Sequence, residues 1–587
     1  MKIQRKKKRK IQFYREAAMD DEALNLKSFL KWATELGISY SPSTSTTPSP
    51  DSCMGYSLFV SSFPEAGGRG LAAARDIKKG ELILRVPKGV LMTSQCLMRN
   101  DEALSIAVKK HPSLCCTQIL AVALLNEVNK GKSSRWWPYL KQFPRSYDTL
   151  ADFGKIEIQA LQIDDAIWAA QKASQKAEGE WKEASALMHE LKLKPQLLAL
   201  KAWLWASGSI SSRTMHIPWD EAGCFCPVGD FFNYVAPGEE TSNSEDQVTG
   251  EPFSLQEDSM LKSVTELAAA HRLIDAGFEE DVSSYCFYAR RNYRKGEQVL
   301  LSYGTYTNLE LLQHYGFILS DNPNDKAFIP LESNMYSLCS WESESLYIQP
   351  DGKPSFALLS TVRIWAVPQN NRRPVAHLVY SGYQLSTENE VVAMRWLAKK
   401  CRTILDSLPT TAEEDGKLLV ILDEFQENHQ LMEIKEMPST LASELCAFME
   451  SKKIFSEGTC VISSVARRSI GRMKLAILWR YHYKKIISNC ILHCTEVIND
   501  FISTKDLKYK EIFVKPANLH HIALFHCTSI CYLVQSLLQQ HIKGPNLKTQ
   551  LTNCLRIENG LHLILSRTIE RSVAGFHCFE WFSDPGF

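Results

Sequence analysis

A chain of 587 residues with 45% hydrophobic, 23% charged and 10% aromatic side chains can bury a large core and hold more than one domain. Its formal net charge of +1 gives no whole-chain reason to expect nucleic-acid or membrane binding. The 17 cysteines follow no regular framework and no signal-peptide pattern opens the chain, which points to free thiols in a reducing, intracellular compartment.

The first 52 residues read as a tail, a short helix and a linker. A basic run from Arg5 to Lys10 is open to two readings, a solvated tail or a nuclear-import or nucleic-acid signal. Residues 22–37 carry Leu24, Leu26, Phe29, Leu30 and Trp32 near helical spacing. The Ser/Thr/Pro stretch from Ser41 to Ser52 reads as a linker. From Tyr56 to Thr93 short apolar pieces alternate with Gly67, Gly68 and Gly70, the pattern of small strands.

Long runs rich in Ala, Leu, Lys and Glu predict helices from Ser113 to Trp205. Strand and turn signals return from Cys224 to Phe317, interrupted by an acidic stretch from Gly238 to Asp258 that reads as a surface insertion. Beyond Ser340 apolar stripes in Phe356–Trp365, Val391–Leu408 and Arg472–Val497 predict helices again. The longest apolar stretch, Ile522 to Leu538, is broken by His526, Thr528, Ser529 and Gln535 and falls short of the roughly 18 uninterrupted residues of a membrane span.

Three segments carry chemistry. The first is Gly67-Gly68-Arg69-Gly70-Leu71, where glycines let backbone N–H and C=O groups approach a ligand. Its spacing fits neither a P-loop nor a dinucleotide fingerprint. The second joins Ser212-Arg213 to Pro227-Val228-Gly229-Asp230-Phe231-Phe232-Asn233-Tyr234. There, short polar residues bracketed by aromatics suit a few placed hydrogen bonds in an apolar pocket, or equally an Asx turn or helix cap. The third runs from Gly296-Glu297-Gln298 through Tyr303-Gly304 to Tyr315-Gly316-Phe317, whose tyrosines suit either a ligand channel or ordinary packing.

In this order the three segments resemble the SET family, in the branch that includes Rubisco large-subunit lysine methyltransferase and SET domain-containing protein four. Trp137-Pro138-Tyr139-Leu140 and Asn322-Pro323-Asn324-Asp325 match the same branch, and the likeness runs over roughly residues 25 to 500. It implies an α+β fold: a SET domain of small β-sheets with a pseudoknot-like crossing over residues 53–320, split by a helical insert at about 97–206. An all-α substrate-binding domain follows over 321–505, and residues 506–587 remain unassigned. The crossing is one of the rare exceptions to unthreaded connections.

The resemblance also implies S-adenosylmethionine as cofactor, held at Gly67, Gly68, Arg69, Gly70, Ser212, Arg213, Asp230, Asn233, Tyr234 and Tyr303. Tyr303 is the implied catalytic residue, and Tyr315 and Phe317 the implied walls of a channel for the target lysine of a protein partner. Such a transfer needs no metal. Cys224-x-Cys226 is too closely spaced for a usual zinc site, and His520, His526, Cys527 and Cys531 lack paired ligand spacing. No nucleophile elbow supports Ser-His-Asp hydrolysis. The basic run leans toward nucleus or cytoplasm, whereas plant relatives of the family include chloroplast enzymes.

One position departs from the pattern: relatives commonly have Asn-His where this chain has Asn233-Tyr234. If the backbone of that position does the binding, cofactor affinity survives the change, which is the expectation. The competing reading is a catalytically weak SET-like scaffold that binds a partner through its helical C-terminal domain.

Overall fold

The computed structural model describes residues 21–40, 53–64, 68–237, 275–339, 341–428, 439–451 and 464–505. The basic run, the 41–52 linker, Gly67, the acidic stretch and the 506–587 extension with its His and Cys residues lie outside them. Everything described up to Thr504 belongs to one compact unit.

Among the described residues four small sheets form the β part. Strand β1 (Leu58–Phe63) pairs antiparallel with β2 (Gly68–Ala73), setting Val60 opposite Leu71 and Phe63 opposite Gly68. Strand β3 (Leu82–Pro87) begins a second sheet, and the hairpin β4 (Thr214–Ile217) and β5 (Asp220–Phe225) a third. The two-residue β6 (Asn233–Tyr234) is followed by β7 (Ala276–Glu279) and β8 (Ser284–Tyr288), which complete the β3 sheet in the order β3-β8-β7. Strand β9 (Gln298–Leu301) then inserts between β2 and β6, giving the order β1-β2-β9-β6. Its pairing with β2 is antiparallel and with β6 parallel, Asn233 opposite Leu300 and Tyr234 opposite Leu301. A fourth, two-stranded sheet, Ala327–Phe328 with Tyr347–Ile348, opens the C-terminal part.

Between β3 and β4 the chain is helical. A 15-residue helix, Cys116–Lys130, buries an almost continuous run from Leu120 to Glu127, as its apolar sequence requires of a helix covered on most sides. The 27-residue helix Asp164–Glu190 is about 40 Å long by helical rise. Its two ends serve different cores. Ala184, Leu187 and Met188 pack in the core of the N-terminal sheets, whereas Ala166 and Ala170 pack with the C-terminal helices. Leu150, Phe153, Ile158 and Leu161 join that second core as well. The helical insert is therefore shared between the two cores, which its alanine-rich sequence does not announce. Alanine allows close approach to either partner without selecting one.

The C-terminal region is helical, with Phe356–Trp365, Thr387–Asp406, Ala412–Asn428, Ser439–Ser451 and the 42-residue Ser464–Lys505. Ser355 and Ser386 cap the first two by accepting backbone N–H bonds from Leu358 and Asn389. Among the described residues no helix is long and apolar enough to cross a membrane.

Candidate active site

The β6–β9 pairing brings the three motif segments to one place. Gly70 lies in β2, and a Cβ there would stand 2.5 Å from Asn233 Nδ2 and 2.8 Å from Gln298 Nε2, so any larger residue would displace the side-chain amides that β6 and β9 direct toward β2. Asn233 Nδ2 lies 3.4 Å from the Arg69 carbonyl oxygen, a long hydrogen bond from β6 across to β2. Gly68 sits at φ +126, a conformation that side chains resist, with open space where a Cβ would be.

The turn before β6 is tight. Val228 holds φ +69, a left-handed conformation that a β-branched residue resists. At the next residue, Gly229, a Cβ would meet the Phe287 ring at 2.4 Å. The turn buries Asp230, whose side chain is 1% exposed, against Arg213 at the end of the helix Leu200–Arg213. Arg213 Nη1 donates to Asp230 Oδ2 at 2.7 Å and its Nε to the Tyr147 hydroxyl at 3.1 Å. Tyr139 donates its hydroxyl to the same Asp230 oxygen at 3.0 Å. Burial alone would lower the Arg213 pKa, but the fields of Tyr147 and Asp230 override it and raise it further. Burial, reinforced by Asp230, holds Tyr139 protonated.

Sequence reasoning missed Tyr139 and Tyr147 as members of this cluster. The Trp137-Pro138-Tyr139-Leu140 match was a signal, but it named no role. Arg69 is held elsewhere: its guanidinium donates to the Gln142 side chain and carbonyl, each at 2.8 Å, and lies 4.1 Å over the Phe231 ring. Its contribution to the cluster is backbone. Ser212 bonds back to the Gly208 carbonyl within its own helix, at 2.7 Å.

Beyond β9 the chain turns at Tyr303-Gly304, with Gly304 at φ +132. Tyr303 donates its hydroxyl to the Phe232 carbonyl oxygen, and Tyr234 donates its own to the Gly304 carbonyl at 2.8 Å. The Tyr303 ring centroid is 5.2 Å from Tyr234 and 5.3 Å from Tyr315, while Tyr306 and Phe317 complete an aromatic cluster around Tyr234. Tyr234 is buried; Tyr303, Tyr306, Tyr315 and Phe317 are half-buried. Burial pushes the Tyr303 hydroxyl pKa up, opposed by nearby Arg213, so the phenol stays protonated at neutral pH. Tyr315 is raised likewise, by burial and its bond to Tyr306.

Two devices hold these rings. Gly316, at φ +77, abuts the Asp148 backbone so closely that a Cβ would meet it at 2.9 Å. Asn308, Asn322 and Asp325 form a buried polar knot, in which Asn322 Nδ2 donates to the Tyr306 carbonyl at 2.9 Å and Asp325 accepts from the Asn308 N–H and side chain. The Asn322-Pro323-Asn324-Asp325 motif is thus an anchor for the aromatic loop.

An amino-acid ligand bearing both charges, such as the methionine part of S-adenosylmethionine, needs an acceptor, donors and close backbone. Two buried polar atoms beside this crossing lack hydrogen-bond partners, Asp230 Oδ1 and Gln298 Nε2, and two glycines line β2. The residue types fit such a group. Among the described residues no group of three or more His, Cys, Asp or Glu side chains is gathered as a metal site.

Residues 68–304 match the SET domain family model and residues 324–486 the Rubisco LSMT substrate-binding model. Protein SET DOMAIN GROUP 40 of Arabidopsis thaliana is 49% identical over 495 residues, covering 83% of this chain and 99% of that protein. The actin-histidine N-methyltransferase of Danio rerio is 24% identical over 402 residues, covering 63% of this chain and 61% of its own length. Among solved structures, Rubisco LSMT bound to AdoMet aligns with a TM-score of 0.47 at 17% identity, covering 85% of this chain and 99% of that one.

Proposed function

The chain belongs to the SET-domain family of protein methyltransferases, and on that premise we propose that it transfers a methyl group from S-adenosylmethionine to a lysine side chain of a protein substrate. The observation that carries this reading is the parallel β6–β9 pairing, which sets Asn233, packed against Gly70, and Tyr303 beside one aromatic cluster. When bound, S-adenosylmethionine supplies a methyl group activated by its sulfonium.

The protein's own task is then alignment and desolvation. The target nitrogen must arrive neutral, because its lone pair makes the new bond. Apolar walls built from Tyr234, Tyr306, Tyr315 and Phe317 would remove water from the incoming amine, and that desolvation lowers a lysine pKa toward the neutral amine. The same ring faces attract a methylated ammonium product through their quadrupoles. Tyr303, protonated and fixed by its bond to Phe232, presents its oxygen lone pairs as an acceptor that orients the amine. We assign the Gly68–Gly70 backbone, Asp230 and Asn233 to the cofactor side, with Arg213 and Tyr139 positioning Asp230. The helical C-terminal region, matching a substrate-binding family, is assigned to the protein partner.

The test is tritium transfer from labelled S-adenosylmethionine into protein of an extract from cells lacking this chain, followed by mass spectrometry of the labelled peptides. Methyl-lysine with wild type and near-background signal with Tyr303→Phe is the expected outcome. Methyl-histidine would replace the lysine assignment. No transfer by either form would favour a scaffold.

A further inference from the structure

The two hydroxyl bonds at the crossing are reciprocal. Tyr303, just beyond β9, donates to the carbonyl of Phe232, just before β6; Tyr234, within β6, donates to the carbonyl of Gly304, just beyond β9. Each tyrosine reaches across the parallel pair to the backbone of the segment that carries the other. Between them lie only two ladder positions, Asn233 with Leu300 and Tyr234 with Leu301. A two-residue parallel pairing is a short join for strands this far apart in sequence, and parallel pairing is slightly the weaker kind per residue. The clasp lengthens that join by one side-chain bond on each side.

Gly304 is the point where the clasp matters. It holds φ +132, and a Cβ there would meet the Tyr306 ring at 3.2 Å, so the turn needs glycine and inherits glycine's freedom. Its carbonyl belongs to the peptide joining Gly304 to Thr305, one residue beyond Tyr303, so rotation about the Gly304 φ and ψ moves the Tyr303 backbone and ring relative to that peptide. The bond from Tyr234 restrains that peptide, within a buried aromatic setting where it is poorly exposed to competing water.

We propose that Tyr234 is a positioning residue for Tyr303, its hydroxyl fixing the Gly304 peptide so that the Tyr303 oxygen stays aimed at the reacting nitrogen. The inference rests on the methyltransferase reading for its kinetic consequence and on geometry alone for the clasp. It also gives the departure at position 234 a physical content. A phenol oxygen stands farther from Cβ than either imidazole nitrogen, so a histidine here would not reach the Gly304 carbonyl without moving the backbone.

The experiment compares wild type with Tyr234→Phe, which deletes one oxygen, and Tyr234→His, which keeps a ring but shortens the reach. Tritium transfer into extract protein at varied S-adenosylmethionine gives Vmax and KM for the cofactor, and calorimetry gives its Kd. Separately, 3-fluorotyrosine placed at position 303 reports that ring's environment by fluorine NMR, in the presence or absence of turnover. Both variants are expected to lower Vmax by about 10- to 100-fold, the scale of a misplaced reacting group, with KM and Kd for the cofactor little changed. The resonance at 303, single and narrow in wild type, is expected to broaden or split.

Full Vmax in either variant would overturn the proposal. So would a loss explained wholly by weaker cofactor binding, which would make Tyr234 a cofactor ligand, or an unchanged resonance in Tyr234→Phe. If wild type itself transfers no methyl group, the proposed function fails, and the resonance still decides the clasp.

Discussion

At the β6–β9 crossing, segments near residues 69, 233 and 303 meet through backbone pairing, glycines and aromatic rings. In the second core, Thr410, Asp415, Arg480 and Lys484 of the C-terminal region and Gln162 of the helical insert meet around fully buried charges. Asp415 Oδ2 accepts from Lys484 at 2.6 Å, and its Oδ1 from Arg480 Nε at 2.9 Å and Thr410 at 2.7 Å. Arg480 Nη1 reaches the Ala160 carbonyl at 2.8 Å, and Lys484 also donates to the Thr410 carbonyl at 2.7 Å and to Gln162 at 2.9 Å. Arg480, Lys484 and Asp415 are at most 1% exposed at the side chain.

The difference is one of completeness. The charge network gives each ionic group several partners inside the protein, as a buried charge must have. The crossing leaves Asp230 Oδ1 and Gln298 Nε2 without partners. A network whose charges are all paired serves stability, whereas buried polar atoms left in reserve beside a strand crossing and its glycines suit a ligand.

The largest effect is expected from Asp415→Ala, which strands two buried cations. A stability loss of about 3–5 kcal/mol is expected in denaturant melts, with S-adenosylmethionine affinity per folded molecule retained. A loss of affinity with no loss of stability would invert the contrast. Tyr303→Phe should do the opposite, lowering methyl transfer by about 100-fold or more while costing stability only about 1 kcal/mol for one hydrogen bond. Rate assays and melts on the same preparation check both halves.

Gly316→Ala tests whether the aromatic loop depends on the brace from Asp148. The strained φ and backbone overlap should cost about 1–3 kcal/mol, and the Tyr315 and Phe317 rings should shift, visible as a raised KM for the protein substrate.

The smallest effect concerns pH. Burial pushes the Asp152 carboxyl up to about 6, partly opposed by the Thr149 hydroxyl, and burial also raises neighbouring Asp148 despite Arg472. A folded pKa above the unfolded value means the favourable contribution is complete below pH 4 and disappears as pH rises through about 6. Asp152→Asn should therefore flatten the stability profile across that window by about 1–2 kcal/mol after solvent screening. An unchanged slope in melts from pH 4 to 7 would refute the raised pKa of Asp152.

Much of the α+β architecture was legible because periodicity and glycine placement are local signals. The stripe in Phe356–Trp365 predicts the helix that forms over those residues, and the glycines at 68 and 70 lie in β2 as the strand-and-turn pattern suggested. The three motif segments pointed to one place, and the structure brings Gly70, Asp230, Asn233, Tyr234, Tyr303, Tyr315 and Phe317 near one another, with Gly68 two residues off at the start of β2. It turns the Arg69 guanidinium toward Gln142 and Ser212 back into its helix.

What the sequence determined alone was therefore the set of elements and the chemical types at the site, since both depend on residues near one another in the chain. Only the tertiary structure decided the partners. The Tyr139–Asp230–Arg213–Tyr147 cluster, the Asp148 brace under Gly316, the two-core role of the Asp164–Glu190 helix and the reciprocal bonds of Tyr234 and Tyr303 all join segments separated by tens to hundreds of positions. Such pairings are set by which surfaces pack together and which buried polar atoms then need a partner. No local pattern in the chain encodes that choice.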